Sequence, residues 1–198
     1  MNKQQAMELI SASLREGAEL RTVVARDCST AIFEAADLIT MCLQGDGKLL
    51  FFGNGGSAAD AQHLAAEFVG RFVRERAGLP AIALTTDSSI LTAVGNDYGF
   101  DQIFARQIQA LGRPGDVAIA ISTSGNSLNV LEGVKEARKR KLKTIGLTGK
   151  DGGLLAQQTD AAIMVPSTST AKIQECHIAI GHLFCELVDG DFSESKLS

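Results

Sequence analysis

Apolar residues recur along the first 45 residues at the three- and four-residue spacing of an α-helix. One set predicts a first helix, and a second set predicts another that Asp27 or Ser29 would cap at its start. The sequence Gly45-Asp46-Gly47 then ends the helical pattern. The first set is Leu9, Ile10, Leu14, Leu20 and Val24, and the second is Ala31, Ile32, Ala35, Ala36, Ile39, Met41 and Cys42.

From residue 46 onward, short apolar runs alternate with stretches of helical character. The runs are continuously apolar and bounded by turn residues, which is typical of strands buried on both faces of a parallel sheet. The sequence therefore predicts a doubly wound α/β fold, with a five-stranded parallel sheet flanked by helices and preceded by an N-terminal helical pair. The runs are residues 48–52, 81–84, 116–121, 144–147 and 161–165, and the helical stretches are 57–72, 87–94, 102–111, 127–140 and 170–189.

The length of the chain fits one domain, since domains usually contain roughly 100–200 residues. We expect residues 1–198 to form a single domain. Within it, residues 1–45 would supply the N-terminal helices used in oligomerisation, residues 46–190 the α/β core, and residues 191–198 a frayed tail.

Charge and cysteine content exclude several classes of protein. The net charge of −4 argues against a dedicated nucleic-acid binder, and the basic cluster at residues 138–143 is interpreted as the solvated end of a helix. The N-terminus has no signal-peptide pattern, and no apolar run approaches the roughly 20 residues that cross a bilayer. We therefore expect a cytoplasmic protein without membrane contact. Its four cysteines fit a reducing compartment, with Cys176 and Cys185 as small core residues.

The loop after the first predicted strand is rich in glycine. In a doubly wound sheet, ligands bind beyond the carboxyl ends of the strands. This glycine loop (residues 53–57, GNGGS) lets the backbone approach a ligand closely, and the helix that follows favours an anion. Gly53, Gly55 and Ala58 also match a weak dinucleotide fingerprint, but the nearest acid, Asp87, comes later than the roughly 20-residue spacing of such sites. A tight turn without a ligand is a further alternative.

The loop after the third predicted strand concentrates hydroxyl groups. This serine loop (residues 122–127, STSGNS) contains Ser122, Thr123, Ser124 and Ser127 at the start of a helix. Together with a glycine, they predict a phosphate cradle that works without a lysine. Helix capping alone would need one serine rather than four hydroxyls. The triphosphate-binding sequence GxxxxGK[ST] is missing from the chain, which favours a phosphorylated small molecule.

Histidines and a glutamate on two predicted helices are candidates for chemistry. His63 and Glu67 are four residues apart and therefore share a helix face. Gln174, His177 and His182 lie in the last predicted helix among apolar residues. An isolated histidine in such a setting is usually a core residue, which is our interpretation of His177 and, taken alone, of His182. Together, His63, Glu67 and His182 could bind a divalent metal or act as an acid–base set.

Five segments together resemble the phosphoheptose isomerases, which have the SIS (sugar isomerase) fold. This resemblance implies conversion of D-sedoheptulose 7-phosphate to D-glycero-D-manno-heptose 7-phosphate through an enediol, the first step toward the ADP-heptose precursor of the lipopolysaccharide core. It also implies one zinc ion per subunit, a sugar-phosphate ligand and a homotetramer. The segments are residues 53–72, 93–104, 121–130, 147–153 and 172–182, which span most of the chain.

The resemblance also implies roles for individual residues. Glu67 and His182 match the proposed acid–base pair, and His63, Glu67, Gln174 and His182 match the zinc ligands. Ala58 and Ala59 replace a histidine and a cysteine of some family members, neither of which is a ligand. The residues that match substrate-binding positions are Asn54, Gly55, Gly56, Ser57, Glu67, Arg71, Asn96, Asp97, Ser122, Thr123, Ser124, Ser127 and Gln174.

A second resemblance points to a protein without catalytic activity. The segments TTDSSILTA (residues 85–93) and PAIAL (residues 80–84) are similar to a replication-initiator-associating protein, a tetrameric binding module of the same fold. That relative lacks counterparts of Glu67 and His182, which favours an enzyme here. A non-catalytic regulator of replication initiation, or a sensor of another sugar phosphate, is the alternative.

The spacing of two implied zinc ligands predicts an oligomer. Gln174 and His182 are eight residues apart, which is about 12 Å along a straight helix. One metal ion cannot take both from the same straight helix. We therefore expect either a broken helix or a ligand from a neighbouring subunit, which would place the active site at a subunit interface.

Overall fold

Residues 1–192, which the computed structural model describes, form a five-stranded parallel sheet with helices on both faces. The strand order is β2-β1-β3-β4-β5, which confirms the predicted doubly wound fold. The strands are β1 (Leu49–Gly53), β2 (Ala81–Ala83), β3 (Val117–Ser122), β4 (Lys143–Gly149) and β5 (Ala161–Val165). The helices are α1 (Lys3–Asp27), α2 (Ser29–Gln44), α3 (Gly56–Val69), α4 (Ser88–Tyr98), α5 (Ile103–Leu111), α6 (Leu128–Lys139), α7 (Gly153–Gln158) and α8 (Thr170–Phe192), with a 3₁₀ turn at Phe100–Gln102.

Alternate residues of the sheet point into two separate cores. Leu49 and Phe51 of β1 pack with α2, α3 and α8 on one face, whereas Leu50 and Phe52 pack with α5, α6 and α7 on the other. Every residue of β1 and β3 is buried. Because both faces of these strands are covered, their sequences are continuously apolar rather than alternating.

The strand order reverses between β1 and β3, which are neighbours in the sheet. Their ladder ends with the pair Gly53 and Ile121. The chain leaves β1 for α3 on one face and leaves β3 for α6 on the other face. This divergence opens a crevice at the carboxyl ends of the two strands. The glycine loop and the serine loop therefore lie side by side at its border.

The two N-terminal helices pack very differently. α2 buries a full apolar stripe, whereas α1 buries only Gly17 and Val24. Met7, Leu9, Ile10 and Leu14 of α1 are between 53% and 70% exposed. The expected cap of α2 is wrong, because the single residue Cys28 separates the helices and its side chain makes no capping hydrogen bond.

Two helix boundaries differ from expectation near the predicted site. α3 ends at Val69 rather than at residue 72, so Arg71 and Phe72 lie in an irregular segment before β2. α4 continues to Tyr98, so Asn96 and Asp97 lie in its last turn.

The C-terminal third of the chain also differs from expectation. α7 was not predicted, because its six residues are too few to display helical periodicity. α8 extends to Phe192, into the predicted tail. The rest of that tail, residues 193–198, lies outside the described residues.

The cysteines are buried and unpaired. Burial raises the pKa of the Cys42 thiol to about 11 and that of Cys185 to about 12. These thiols stay protonated and pack as small apolar side chains, as predicted for Cys176 and Cys185. Separately, no helix within residues 1–192 has the length and apolar character needed to cross a membrane.

His177 is a core residue, as its apolar neighbours indicated. Its ring is fully buried, and its Nε2 lies 3.0 Å from the carbonyl oxygen of Thr148. Burial lowers the pKa of His177 to about 4, although the hydrogen bond to Thr148 opposes this effect. The neutral ring therefore donates its Nε2–H to the end of β4.

We expect acid to destabilise the folded chain through His177. An unfolded histidine titrates near pH 6.5, so between about pH 6.5 and 4 the unfolded state binds a proton that the folded state does not. The free energy of unfolding therefore falls as the pH decreases through this window, by up to about 3 kcal/mol. Urea unfolding of wild type and His177→Gln from pH 7.5 to 4 measures this loss. An equally steep loss in the variant would show that His177 does not cause it.

Candidate active site

At two positions of the glycine loop, only glycine fits the backbone. Gly55 has φ of 57°, in the left-handed region that favours glycine. A Cβ on Gly53 would lie 2.7 Å from the carbonyl oxygen of Ile121 in the neighbouring strand. The loop thus runs close to β3 before α3 begins at Gly56, and Ser57 is buried in the first turn. The backbone geometry therefore accounts for Gly53 and Gly55, and no bound dinucleotide is needed to explain them.

The serine loop gathers its hydroxyl groups at the end of β3. Ser122 Oγ lies 3.0 Å from Ser127 Oγ and 3.4 Å from Ser124 Oγ, and Thr123 is half-buried beside them. Ser127 occupies the N-cap position of α6, but its side chain makes no capping hydrogen bond. Capping therefore does not explain Ser127. Clustered hydroxyls at a helix N-terminus suit the binding of a phosphate.

α7 supports the serine loop from behind. The backbone N–H of Leu155 donates to the carbonyl oxygen of Gly125 at 2.9 Å, and that of Leu154 donates to Asn126 Oδ1 at 3.1 Å. Gly125 has φ of 65° and faces the carbonyl group of Gly152 so closely that a Cβ has no room. Sequence reasoning did not identify Asn126 as a functional residue, because its partner is 28 residues away.

His63, Glu67 and His182 meet where α3 and α8 pack together. His63 Nε2 lies 3.0 Å from His182 Nε2 and 3.4 Å from Glu67 Oε1. The ring of Phe72 stacks on His182 with a centroid separation of 5.2 Å. The core interpretation of His182 is therefore wrong, because its ring is half-exposed and faces another imidazole.

The close packing of α3 against α8 depends on Gly181. A Cβ at this position would collide with the Leu64 side chain. The two helices run in the same direction, because Gly56 contacts Gln174 near their starts and His63 contacts His182 further along. α8 is unbroken from Thr170 to Phe192. Gln174 and His182 of one chain are therefore about 12 Å apart along the axis.

The donor atoms of this cluster suit a zinc ion chemically. Two imidazoles and a carboxylate are ordinary zinc ligands, and a catalytic site adds an open position. Within residues 1–192, however, no group of three or more His, Cys, Asp or Glu side chains is arranged to hold a metal ion. Gln174 lies at the other end of the packed helices. The donor types fit zinc, but among the described residues of one chain they are not arranged to hold an ion.

Asp60 faces the same cluster and was not predicted. Its Oδ2 atom is buried and has no hydrogen-bond partner among the described residues. Burial raises the pKa of the Asp60 carboxyl, an effect that His63 and His182 oppose electrostatically. The sequence could have indicated Asp60, because residues three apart on a helix share a face and Asp60 lies three residues before His63.

A buried ion pair anchors the irregular segment between α3 and β2. Arg76 Nε lies 2.6 Å from Asp189 Oδ1, with both side chains almost fully buried. Asp189 Oδ2 accepts hydrogen bonds from the backbone N–H groups of Val73 and Arg74. Burial raises the pKa of Asp189, but the hydrogen bonds from Arg74, Arg76 and Val73 outweigh it, and the pKa lies below its usual value.

The same arginine also fixes the end of α3. Its guanidinium donates to the carbonyl oxygens of Glu67 at 3.0 Å and of Phe68 at 2.9 Å. The segment thus tethered carries Arg71, which is exposed and lies 3.3 Å from Glu75. Within residues 1–192, Arg71 makes no hydrogen bond to another predicted site residue.

Asn96 and Asp97 hydrogen-bond to each other rather than to the other predicted site residues. Both are exposed, and Asn96 Nδ2 donates to Asp97 Oδ1 at 2.8 Å. Within residues 1–192, no hydrogen bond joins either of them to the glycine loop, the serine loop or the histidines. At the start of the same helix, Asp87 accepts from the backbone of Ile90. This capping role weighs against the dinucleotide alternative, which needs a free acid for the ribose.

Comparisons with known proteins identify the family. The SIS domain family matches residues 4–149. A phosphoheptose isomerase from Rhodospirillum rubrum is 61% identical over 163 residues, 82% of this chain and 87% of that protein. One from Aquifex aeolicus is 54% identical over 183 residues, 92% and 96% of the respective chains. The solved phosphoheptose isomerase of Neisseria gonorrhoeae superimposes with a TM-score of 0.89 at 47% identity, over 93% of this chain and 99% of that one. This chain belongs to the phosphoheptose isomerases of the SIS domain family.

Proposed function

We propose that this chain isomerises D-sedoheptulose 7-phosphate to D-glycero-D-manno-heptose 7-phosphate. The observation that carries the proposal is that Glu67 and His182 both lie within 3.4 Å of His63 Nε2, in a chain 61% identical to a phosphoheptose isomerase. The non-catalytic binding protein that this chain also resembles lacks counterparts of Glu67 and His182. The presence of both residues here therefore favours an enzyme over a binding module.

The serine loop binds the phosphate group in this proposal. The Ser122 hydroxyl lies within 3.4 Å of the hydroxyls of Ser124 and Ser127, at a helix N-terminus whose positive dipole end attracts an anion. Held at its phosphate, the substrate is oriented without any chemistry by the loop itself. The glycine loop borders the same crevice and contacts the sugar.

The reaction moves one proton between two carbons. Glu67 takes a proton from C1 of the ketose, and the electrons of that C–H bond form a C1–C2 double bond. The π electrons of the C2 carbonyl move onto its oxygen at the same time, which gives the enediolate form of the enediol. Glu67 then returns the proton to C2, while His182 carries a proton from the C1 oxygen to the C2 oxygen, which leaves an aldehyde at C1. The two carbons thus exchange oxidation states without any external oxidant or reductant.

One zinc ion per subunit completes the proposed site. His63, Glu67 and His182 would hold it together with Gln174 of a neighbouring subunit, because Gln174 and His182 of one chain are about 12 Å apart on an unbroken helix. When bound, the ion polarises the carbonyl oxygen of the substrate as a Lewis acid. His63 has no further proton-transfer role in this scheme.

Exposed apolar surface supports a homotetramer with active sites at subunit interfaces. A groove of about 700 Å³ lies between α1, α2 and α8 and is lined mostly by apolar side chains. Phe33, which belongs to this lining, is 64% exposed. Surfaces of this kind are typical of protein–protein contacts. A cytoplasmic location fits the buried free thiols. A particle mass of 20.9 kDa in solution, that of one chain, would contradict the oligomer.

An isomerase assay with and without a chelator tests the function. We expect the wild type to convert sedoheptulose 7-phosphate to an aldose, to lose this activity after chelation, and to recover it when zinc is added. Sedoheptulose without its phosphate should react far more slowly, because the serine loop has nothing to hold. No conversion of the phosphate ester by zinc-loaded protein would refute the proposed function.

A further inference from the structure

Asn54 and Asn129 exchange two hydrogen bonds between their side-chain amides. Asn54 Nδ2 donates to Asn129 Oδ1 at 2.8 Å, and Asn129 Nδ2 donates to Asn54 Oδ1 at 2.9 Å. Asn54 lies in the glycine loop, whereas Asn129 lies in the first turn of α6, directly after the serine loop. The pair therefore spans 75 residues of sequence and joins the two loops that border the crevice.

The position of this pair continues the link between β1 and β3. Their backbone ladder ends at Gly53 and Ile121, and beyond this point the chain diverges to opposite faces of the sheet. Asn129 is only 3% exposed, so its amide depends on a protein partner for its hydrogen bonds. The reciprocal geometry satisfies one N–H and one oxygen lone pair on each side chain. The half-buried Asn54 keeps its second N–H and second lone pair for a ligand.

We propose that Asn129 is a positioning residue that acts through Asn54. It orients the Asn54 amide toward the sugar and holds the glycine loop at a fixed separation from the serine loop, so that one sugar phosphate contacts both. This inference rests on the proposed isomerase function. It assigns Asn129 no direct contact with the substrate, which distinguishes it from the neighbouring serines.

A double-mutant cycle tests the proposal with kcat/KM for sedoheptulose 7-phosphate as the readout. We expect Asn129→Ala to lower kcat/KM on the order of 10- to 100-fold, because a slight misplacement of binding groups has effects of this size. In the Asn54→Ala background, Asn129→Ala should lower kcat/KM by less than about threefold, because Asn129 has already lost its hydrogen-bond partner. An equal factor in both backgrounds would overturn the proposal.

Gln107→Ala supplies a matched control. Gln107 is another buried amide, and it donates to the carbonyl oxygens of Leu84 and Ile103 rather than to either loop. We expect it to lower the thermal unfolding temperature but to leave kcat/KM within about twofold. If Asn129→Ala behaves in the same way, its role is structural and the proposal is wrong. An inactive wild type would overturn the isomerase function and this inference together, whereas an active wild type with an unaffected Asn129→Ala variant would overturn the inference alone.

Discussion

Replacing Glu67 by glutamine is expected to lower kcat by about 10²- to 10⁴-fold, the usual contribution of a positioned general base. Glutamine keeps the size of the side chain and can still hydrogen-bond, but its amide cannot accept the proton from carbon. The main-chain position should not move, because Arg76 holds the carbonyl group of residue 67 rather than its carboxylate. Steady-state kinetics with sedoheptulose 7-phosphate measure the loss.

The control for this variant is Glu132→Gln. Glu132 lies on α6 and pairs with Lys135 of its own helix, so this change should leave kcat unaltered. The zinc content of both variants, measured by atomic absorption, separates two roles of Glu67. Lost activity with retained metal identifies a base, and loss of both identifies a ligand. Wild-type kcat in the Glu67→Gln variant would remove the residue from the mechanism.

Replacing Asp189 by alanine is expected to destabilise the fold by about 3–5 kcal/mol. The change leaves the buried guanidinium of Arg76 without its counter-charge, and an unpaired buried charge has a cost of this size. It also leaves the backbone N–H groups of Val73 and Arg74 without their acceptor. The free energy of unfolding from urea titrations measures the effect.

The exposed pair of Arg26 and Asp27 is the matched control. Its Nε–Oδ1 distance is 2.6 Å, equal to that of the buried pair. Because solvent screens the exposed charges, Asp27→Ala should cause no measurable loss of stability. The double change Arg76→Met with Asp189→Leu should not restore stability, since the guanidinium also binds carbonyl groups of α3 and the segment after it. Equal losses in Asp189→Ala and Asp27→Ala would show that burial is not the cause.

The central fold could be predicted because its signals are local. The strands β1 and β3 are buried throughout, and such strands appear in the sequence as apolar runs. The serine loop could likewise be predicted from its composition and its place after β3. His63 and Glu67 were placed together because helical spacing alone sets their distance.

The unpredicted parts of the site depend on contacts between distant segments. Asn54 and Asn129 are 75 residues apart in sequence, and Arg76 and Asp189 are 113 apart, so no local pattern joins them. His182, taken alone, also gave the wrong signal, because the apolar residues around it in sequence do not show that its ring faces His63. Only its combination with His63 and Glu67 indicated a functional site. Arg71 was predicted to lie in a helix, but α3 ends at Val69. The sequence around Arg71 does not show this, because the segment after α3 is held by Asp189 near the end of α8.

An aliphatic contact sets the distance between the imidazoles of His63 and His182. His63 and His182 stand next in sequence to Leu64 and Gly181, the residues at which the helices touch without room for even one extra methyl group. Because Gly181 has no side chain, α3 and α8 approach closely enough to bring the two adjacent imidazoles within hydrogen-bond distance. A larger residue at position 181 would therefore separate the two imidazoles without changing any polar group.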